Sequence, residues 1–470
     1  MGAGAAGLAM AIRLKRRGFT DLTICERSSG VGGTWHDNRY PGAACDVPSH
    51  LYCFSFAPKP DWHYKFARQP EIERYLQDCV AREQLAPHIK LDTEVRGARF
   101  VDGTWRIDTS AGELVADVLI TGTGQLNRPR TPEAFAAFAG TKFHSARWDT
   151  SYDFRGKRVI VVGNGASAVQ FVPEIAPHCE HLTVLQRSPG YVIPRKDKPY
   201  SGWQKWLFRH VPFLRWLYRW FIYWTLESRF SALFLGSMMG VIVRWIALRH
   251  LRKQVADPAL RAALTPSYPV GCKRIIISDD WYPALQRPNV SLVTSPIERV
   301  TADGVITADG VEHRADALLF ATGFETTSFL APMRIVGKEG SELADVWRDG
   351  AKAHRGVTVS GFPNLFLLYG PNTNLGHNSI IFMIECQVRY IVSCLEELER
   401  RGARWLDVKA DAMARSNEQL QRALARTTWS ANCHSWYKTD DGTITNNWSG
   451  RTTQYWWRMR KPKFDEYEIA

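Results

Sequence analysis

The sequence predicts an α/β fold built from two Rossmann-like dinucleotide-binding domains with a helical insertion. Three observations support this prediction: a glycine fingerprint at the start of the chain, a second fingerprint at residue 163, and an aromatic stretch within residues 199–270 that has no strand pattern. With 470 residues, of which 45% are hydrophobic, the chain is long enough for two or three domains with buried cores.

The first fingerprint is G-x-G-x-x-G at Gly2, Gly4 and Gly7, and an apolar helical pattern follows it. The next apolar run, LTIC, leads into the acid Glu26, about 20 residues beyond Gly7. In a dinucleotide-binding βαβ unit, the glycines allow a tight turn and a close approach of the pyrophosphate to the helix N-terminus, and the acid binds a ribose hydroxyl.

Only Met1 precedes the first fingerprint, so the first strand of this unit is missing from the sequence. That strand is central to the sheet, and its loss leaves neighbouring backbone groups without partners. We therefore expect the natural chain to begin roughly ten residues earlier.

The second fingerprint, Gly163, Gly165 and Ala168 in G-x-G-x-x-A, follows a fully apolar strand run and opens a helix. The strand after that helix ends at Arg187 and Ser188 without an acid. A cation at this place accommodates a 2′-phosphate, which indicates NADP rather than NAD. Two fingerprints with ribose-binding residues of opposite type predict FAD in the first unit and NADPH in the second.

The predicted nucleotide contacts follow from these motifs. Around the first fingerprint they are Gly2, Gly4, Gly7 and Glu26. Around the second they are Gly163, Gly165, Ala166, Ser167, Arg187 and Ser188.

Two apolar runs that end in T-G, within residues 116–132 and 315–327, are predicted to return the chain between the two domains. Together with the fingerprints they give a predicted domain order. The order is an FAD-binding domain, first part (1–137), a linker (138–152), an NADPH-binding domain, first part (153–198), the helical insertion (199–270), the NADPH-binding domain, second part (271–325), and the FAD-binding domain, second part, with a C-terminal loop (326–470).

The helical insertion is rich in Trp and Arg, and its longest uncharged run, residues 230–243, is too short to span a bilayer. A buried helical subdomain is one interpretation. A peripheral membrane contact through residues 203–250 is the other, because Trp and Arg suit the interface between lipid and water.

The net charge of +13 favours anionic partners, although charge alone does not choose among phosphates, nucleic acid and a lipid surface. The basic residues form no contiguous patch outside the insertion, which argues against nucleic acid. The nine cysteines include no C-x-x-C pair, which argues against a disulfide framework, a metal site and a dithiol redox centre. No secretory signal opens the sequence, so a cytoplasmic location is expected.

The linker identifies a family. Phe138, Gly140, His144, Trp148 and Asp149 match the fingerprint F-x-G-x-x-x-H-x-x-x-W-[P/D], and the chain thereby resembles the type I Baeyer–Villiger monooxygenases. The resemblance extends over nearly the whole chain. It implies an FAD- and NADPH-dependent enzyme that converts apolar ketones to esters or lactones with O₂, with sulfides as further substrates. The oligomeric state is not implied.

The resemblance also implies site residues. The segment GVGGTWHDNRYPGAACDVPSHLYC matches the family's segment along FAD, and HSWYKTDDG matches the loop that closes over the nicotinamide. The cofactor contacts implied in this way are Gly33, Thr34, Trp35, Asp46, Tyr52, Val95 and Trp436.

Two residues are implied as catalytic. The stretch YPVGCKRIIISDD resembles the segment with the family's active-site arginine, which falls on Arg274. A guanidinium stays charged at every working pH, so it can stabilise a C4a-peroxyflavin and the developing oxyanion. Asp46 is expected to orient Arg274. His144 is interpreted as a structural residue of the linker.

Three alternatives remain open. An N- or S-oxygenating flavin monooxygenase shares the fold, but it has no oxyanion for Arg274 to stabilise. A flavin disulfide reductase needs a redox cysteine pair. An inactive flavoprotein-like protein that binds a membrane surface is the alternative outside the enzymes, and it would be colourless with FAD.

Overall fold

The structure is a computed structural model that describes residues 1–433, 435–439 and 441–470. The strands are β1 Ile24–Cys25, β2 Ile89–Lys90, β3 Val95–Val101, β4 Thr104–Thr109, β5 Gly112–Ala116, β6 Leu119–Thr121, β7 Thr141–His144, β8 Arg158–Val162, β9 His181–Leu185, β10 Val192–Ile193, β11 Ile276–Ile277, β12 Val290–Val293, β13 Ile297–Val300, β14 Gly304–Thr307, β15 Glu312–Arg314, β16 Ala317–Phe320, β17 Arg334–Val336, β18 Leu365–Leu367, β19 Leu406–Val408 and β20 Tyr467–Ile469. The helices are α1 Ala5–Lys15, α2 Thr34–Asp37, α3 Gln69–Arg82, α4 Ala166–Ile175, α5 Gly202–His210, α6 Pro212–Glu227, α7 Met238–Gln254, α8 Pro258–Ala263, α9 Trp281–Leu285, α10 Leu343–Val346, α11 Ile380–Arg401, α12 Ala410–Leu424 and α13 Thr452–Arg458.

The second nucleotide unit is a parallel sheet in the order β12-β9-β8-β16-β7. Strands β8, β9 and β16 are apolar and almost entirely buried, as expected for a parallel sheet with both faces covered. Helix α4 follows β8 directly and packs on this sheet, with Phe171 and Val172 fully buried. The predicted α/β class with two Rossmann-like units is confirmed.

The first nucleotide unit has two short parallel pairs, β1 with β2 and β6 with β18. Met1 and Gly2 lie between these pairs: the Met1 amino group donates to Ile120 O at 2.7 Å, and Gly2 N donates to Cys25 O at 2.8 Å. Helices α1 and α11 pack together over these strands in the largest apolar core.

The two T-G segments lie side by side. Arg130 N donates to Gly323 O and Glu325 N donates to Arg128 O, each at 3.0 Å. These bonds join the segments that follow β6 and β16, two strands that belong to different sheets. The two segments predicted to return the chain between the domains therefore meet at one place.

The linker is packed rather than extended. Phe138 is buried, and a Cβ at Gly140 would lie 2.8 Å from Asp316 O, so only glycine fits this approach. His144 Nε2 lies 3.0 Å from Gly323 O, which ties the linker to the crossing segments. The ring of Trp148 contacts Phe171 of α4, at 5.1 Å between centroids. The fingerprint residues thus fill the joint between the two units.

The helical insertion contains α5, α6 and α7. Arg219 points inward from α6, and its Nη1 donates to His50 O at 2.7 Å and to Cys53 O at 3.1 Å. Among the described residues, no helix is long and apolar enough to cross a membrane.

Glu227, the last residue of α6, fixes the insertion to the C-terminal part of the chain. Its carboxylate accepts hydrogen bonds from Thr452 Oγ1 at 2.6 Å and from Asn378 Nδ2 at 2.8 Å, and His377 Nε2 lies 3.4 Å away. Burial raises the pKa of this carboxyl, but the hydrogen-bonding neighbours outweigh burial and lower the pKa to about 2. The folded protein therefore stabilises the charged form of the Glu227 carboxyl relative to the protonated form.

Replacing Glu227 by glutamine is expected to lower the free energy of unfolding by about 2–4 kcal/mol, because an amide cannot satisfy all the buried donors. Since the folded pKa is lowered from 4.5 to about 2, the wild-type advantage is complete above pH 4.5 and declines as the pH falls toward 2. Urea unfolding at several pH values measures both effects. The control is Glu418→Gln on α12, whose partner Arg422 is exposed; an equal loss in both variants would contradict the role given to Glu227.

Candidate active site

The first glycine turn leaves no room for side chains. Gly2 has φ +88°, and a Cβ there would lie 2.6 Å from Gly122 O. A Cβ at Gly7 would collide with the carbonyl oxygen of Gly2. Helix α1 begins at Ala5, directly after Gly4, so its free N–H groups face this turn. The geometry suits a pyrophosphate at the helix N-terminus.

Glu26 lies beside this turn and is buried. Its carboxylate accepts hydrogen bonds from Ala3 N at 2.6 Å and from Ser28 N at 2.8 Å. The two glycine-rich segments also meet, because a Cβ at Gly33 would lie 2.9 Å from the Cα of Gly4. The first unit therefore has a cradle and a carboxylate that fit FAD.

Thr34 and Trp35 belong to α2, which starts after Gly33. Trp35 Nε1 donates to Tyr52 Oη at 3.2 Å, so these two predicted contacts touch. Val95 lies instead at the start of β3, in the core that also contains Cys25. The structure thus brings Trp35 and Tyr52 together. It places Val95 apart from them, in the core that contains Cys25 of β1.

The second glycine turn repeats the geometry of the first. Gly163 has φ +100°, and a Cβ there would lie 2.7 Å from Ala321 O. Gly165 precedes α4, so Ala166 and Ser167 form its first turn. The side chain of Asn164 donates to Ser188 O at 3.0 Å and holds the turn against the end of β9.

Lys273 is a residue that the sequence analysis missed. Its Nζ donates to Ser188 Oγ at 2.7 Å. Burial lowers the pKa of Lys273, and the neighbouring Arg187 cation lowers it further. Two cations held close together repel each other, and a bound phosphate dianion would offset that repulsion. The group Arg187, Ser188 and Lys273 therefore fits a 2′-phosphate.

Asp46 and Arg274 meet across the two units. Arg274 Nη2 donates to Asp46 Oδ2 at 2.8 Å, although the residues are 228 positions apart. Burial lowers the pKa of Arg274, but Asp46 outweighs burial and holds the pKa above its ordinary value. Nevertheless, 46% of the Arg274 side chain is exposed, so a bound molecule can reach it.

The second carboxylate oxygen of Asp46, Oδ1, is buried without a hydrogen-bond partner among the described residues. It is an acceptor that a donor on a bound molecule can satisfy. One oxygen thus holds Arg274 and the other is available to a ligand.

Neutral phenols surround this ion pair. Burial raises the pKa of Tyr40 and of Tyr437 to about 12. Burial likewise raises the pKa of Tyr52 and Tyr369 above the ordinary value. At neutral pH these hydroxyls are protonated, so they can donate hydrogen bonds but add no charge that would compete with Asp46 for Arg274.

Gln170 of α4 anchors the segment that carries Asp46. Its Nε2 donates to Ala44 O at 3.0 Å, and its Oε1 accepts from Tyr40 Oη at 3.0 Å. The role of Gln170 was not predicted from the sequence, because a helix pattern does not show which loop packs on the helix. The contact connects the predicted FAD-side segment to the helix at the second fingerprint.

The C-terminal loop reaches the site through Tyr437, which lies close enough to Arg274 to contribute to its raised pKa. Trp436 O accepts a hydrogen bond from Thr326 Oγ1 at 2.6 Å. One disulfide, which the sequence analysis did not predict, joins Cys272 and Cys433 across a separation of 161 residues. Sequence spacing cannot reveal a pair that only the fold brings together. The bond joins the Arg274 segment to this loop.

Comparison with known proteins finds relatives that match the chain over nearly its whole length. A family model described as pyridine nucleotide-disulphide oxidoreductase matches residues 1–203. A Baeyer-Villiger monooxygenase of Streptomyces coelicolor is 42% identical over 475 residues, covering 100% of this chain and 92% of the relative. A second, from Pseudomonas aeruginosa, is 42% identical over 470 residues, covering 98% of this chain and 88% of the relative.

Solved structures are similar over the whole chain. The closed crystal structure of cyclohexanone monooxygenase matches with a TM-score of 0.90 and 26% identity, and it covers 100% of this chain and 98% of that one. OTEMO in complex with FAD and NADP matches with a TM-score of 0.89, 26% identity and the same coverage. An oxidized steroid monooxygenase bound to NADP matches with a TM-score of 0.87 and 29% identity, again with 100% and 98% covered.

Proposed function

This chain belongs to the Baeyer–Villiger monooxygenases, and on that premise we propose that it converts apolar ketones to esters or lactones, with Arg274 stabilising the charge on the transferred oxygen. It is an NADPH-dependent flavin monooxygenase. Its cofactors are FAD and NADPH, in keeping with the cofactors of the similar structures. When bound and reduced, FAD supplies the activation of O₂.

The residues that would hold the cofactors are those of the two glycine turns. For FAD they are Gly2, Gly4, Gly7, Glu26 and Gly33, which form the first cradle. For NADPH they are Gly163, Gly165, Arg187, Ser188 and Lys273. The carboxylate in one site and the two cations in the other match a ribose hydroxyl and a 2′-phosphate respectively.

The observation that carries the proposal is the Arg274–Asp46 pair, which joins the two units and leaves the Arg274 side chain partly exposed. A guanidinium presents several donors in a fixed plane and does not lose its proton. Asp46 occupies one side of that plane at 2.8 Å and so orients the remaining donors. Arg274 would donate to the oxygen on which negative charge develops during attack on a ketone carbonyl.

Asp46 would act as a positioning residue. Its Oδ2 holds Arg274, and its Oδ1 lacks a partner among the described residues, so it can accept a hydrogen bond from a bound coenzyme. One carboxylate would thereby align the guanidinium with the coenzyme. Trp436 and Tyr437 would cover the Arg274–Asp46 pair and exclude water from it.

Oxidation of nitrogen or sulfur is the second candidate function. It involves no tetrahedral oxyanion, so the Arg274–Asp46 pair would contribute little to it. The pair therefore favours ketone oxidation as the main activity, with sulfoxidation as a side activity.

The test is NADPH oxidation by the FAD-loaded enzyme with linear, cyclic and steroidal ketones, with a thioether and a tertiary amine for comparison. We expect an ester or lactone, one oxygen atom heavier than the ketone by mass, formed in proportion to the NADPH consumed. Products from the thioether or amine alone would favour the second candidate. A protein that stays colourless with FAD would contradict both.

A further inference from the structure

Helix α6 has an apolar side that is exposed to solvent. Its exposed residues follow the spacing of one helix face, and we call them the outer stripe: Phe213, Trp216, Leu217, Trp220, Phe221 and Trp224. An ordinary surface helix turns its apolar face to the core and its charges to water. Here Arg219 points inward and binds backbone carbonyls, while Phe213 is 64% exposed. Ile222 and Leu226 are buried on the inner face, so α6 is apolar on both faces and the outer stripe is the part left uncovered.

The neighbouring helices carry further exposed apolar residues. On α5, Trp203 and Trp206 are exposed and stacked, with ring centroids 5.0 Å apart. Helix α5 packs on α6 through Phe208 and Tyr218, whose rings stack at 5.2 Å. On α7 the exposed apolar residues again follow one helix face: Met238, Val241, Ile242 and Trp245. Soluble monomers rarely expose so many large apolar side chains in one region.

The charge of this region indicates the chemistry of the partner. Residues 201–254 contain nine basic residues and a single acid, Glu227, which is buried and hydrogen-bonded. Six of the basic residues are exposed: Arg209, Arg229, Arg244, Arg249, Arg252 and Lys253. The guanidinium of Arg249 lies over the ring of Trp245 at 5.2 Å, so cation and aromatic side chain are mixed in one surface. The partner should therefore combine anionic groups with an apolar interior.

A second copy of this chain is a poor match. A two-fold interface brings each surface against itself, so the exposed cations would face cations. A nucleic acid would complement the positive charge, but it would not cover the exposed apolar side chains of Met238, Val241 and Ile242. An anionic bilayer meets both requirements, because Trp inserts at the headgroup level while Arg and Lys contact the anionic headgroups.

We propose that the outer stripe and the exposed faces of α5 and α7 dock this protein on the surface of an anionic lipid bilayer. The contact is peripheral, because no helix in the described part of the chain can span a membrane. Attraction between the exposed cations and anionic headgroups makes the binding sensitive to salt. The inference is independent of the oxidation reaction.

The experiment is flotation of the FAD-loaded enzyme with vesicles of phosphatidylcholine and phosphatidylglycerol, and with vesicles of phosphatidylcholine alone. We expect flotation with the anionic vesicles and at least about tenfold weaker binding to the neutral ones or in high salt. The triple variant Trp216→Ser, Trp220→Ser, Trp224→Ser should weaken binding to anionic vesicles by at least about tenfold. The control Val115→Ser, Val311→Ser removes exposed valines elsewhere and should float as wild type.

A second variant distinguishes a loss of membrane binding from a folding defect. Arg244→Glu with Arg252→Glu leaves the outer stripe intact and reverses two exposed charges, and it should also lose binding to anionic vesicles. Both variants should keep the flavin absorbance and the NADPH oxidation of wild type. Failure of wild type to float, or equal flotation with neutral vesicles, overturns the proposal. So does a wild-type dimer that the tryptophan variant converts to a monomer, since the surface would then be a protein interface.

Discussion

Replacing Arg274 by alanine is expected to lower the rate of ester formation from a ketone by at least about 10²–10³, while NADPH oxidation continues. The variant loses the guanidinium that would face the developing oxyanion, and it leaves Asp46 without the partner that it holds at 2.8 Å. Neither glycine turn loses a contact, so both cofactors should still bind. The measurement is the ratio of ester, quantified by mass spectrometry, to NADPH consumed, followed by absorbance.

Two further variants separate charge from geometry. Arg274→Lys keeps the positive charge but loses the planar set of donors, so we expect partial activity. Asp46→Asn keeps the size of the side chain but frees Arg274 to reorient, so activity should fall while NADPH oxidation persists. Arg99→Ala is the matched control, because it breaks an exposed ion pair with Glu113 on another sheet. Ester formation at the wild-type rate by Arg274→Ala would refute the role proposed for this residue.

Both glycine turns could be predicted from the sequence because their requirements are local. Gly2 and Gly163 have positive φ values and lie against backbone oxygens, and each precedes a helix within a few residues. The strand, turn and helix of such a unit are contiguous, so spacing alone is informative. The fold class follows from the same motifs.

Contacts between distant segments could not be predicted in this way. Arg274 and Asp46 were matched through the family resemblance, since nothing in the spacing relates residues 228 positions apart. Lys273 lies 85 residues from its partner Ser188, and Gln170 lies 126 residues from its partner Ala44. The disulfide between Cys272 and Cys433 was missed for the same reason.

The insertion shows a different limit of sequence patterns. The apolar spacing on α6 predicts a helix with an apolar face, and such a face is ordinarily buried. The interpretation as a buried subdomain is wrong for the outer stripe, because its six residues are exposed. A periodic pattern indicates that two faces differ, but the neighbouring structure determines which face is covered.

Removing the two cations Arg187 and Lys273 is expected to raise the KM for NADPH by about tenfold to 100-fold per cation and to leave the KM for NADH nearly unchanged. Lys273 Nζ already contacts Ser188 Oγ at 2.7 Å, and its pKa is lowered by burial and by Arg187, so the pair is placed to receive a phosphate. NADH lacks that phosphate and loses no contact. Steady-state oxidation of both coenzymes by Arg187→Ala, Lys273→Ala and the double variant measures the effect.

The position of Lys273 allows two roles, and the kinetics distinguish them. Because Lys273 directly precedes Arg274, its replacement could act by displacing that residue, and kcat would then fall with NADPH and NADH alike. A direct contact with the phosphate predicts instead a higher KM for NADPH alone, with kcat retained. Ser188→Ala should reproduce a weaker form of the same change, since it removes the hydroxyl that holds Nζ. Lys198→Ala, an exposed cation near the end of the same domain segment, should change neither constant.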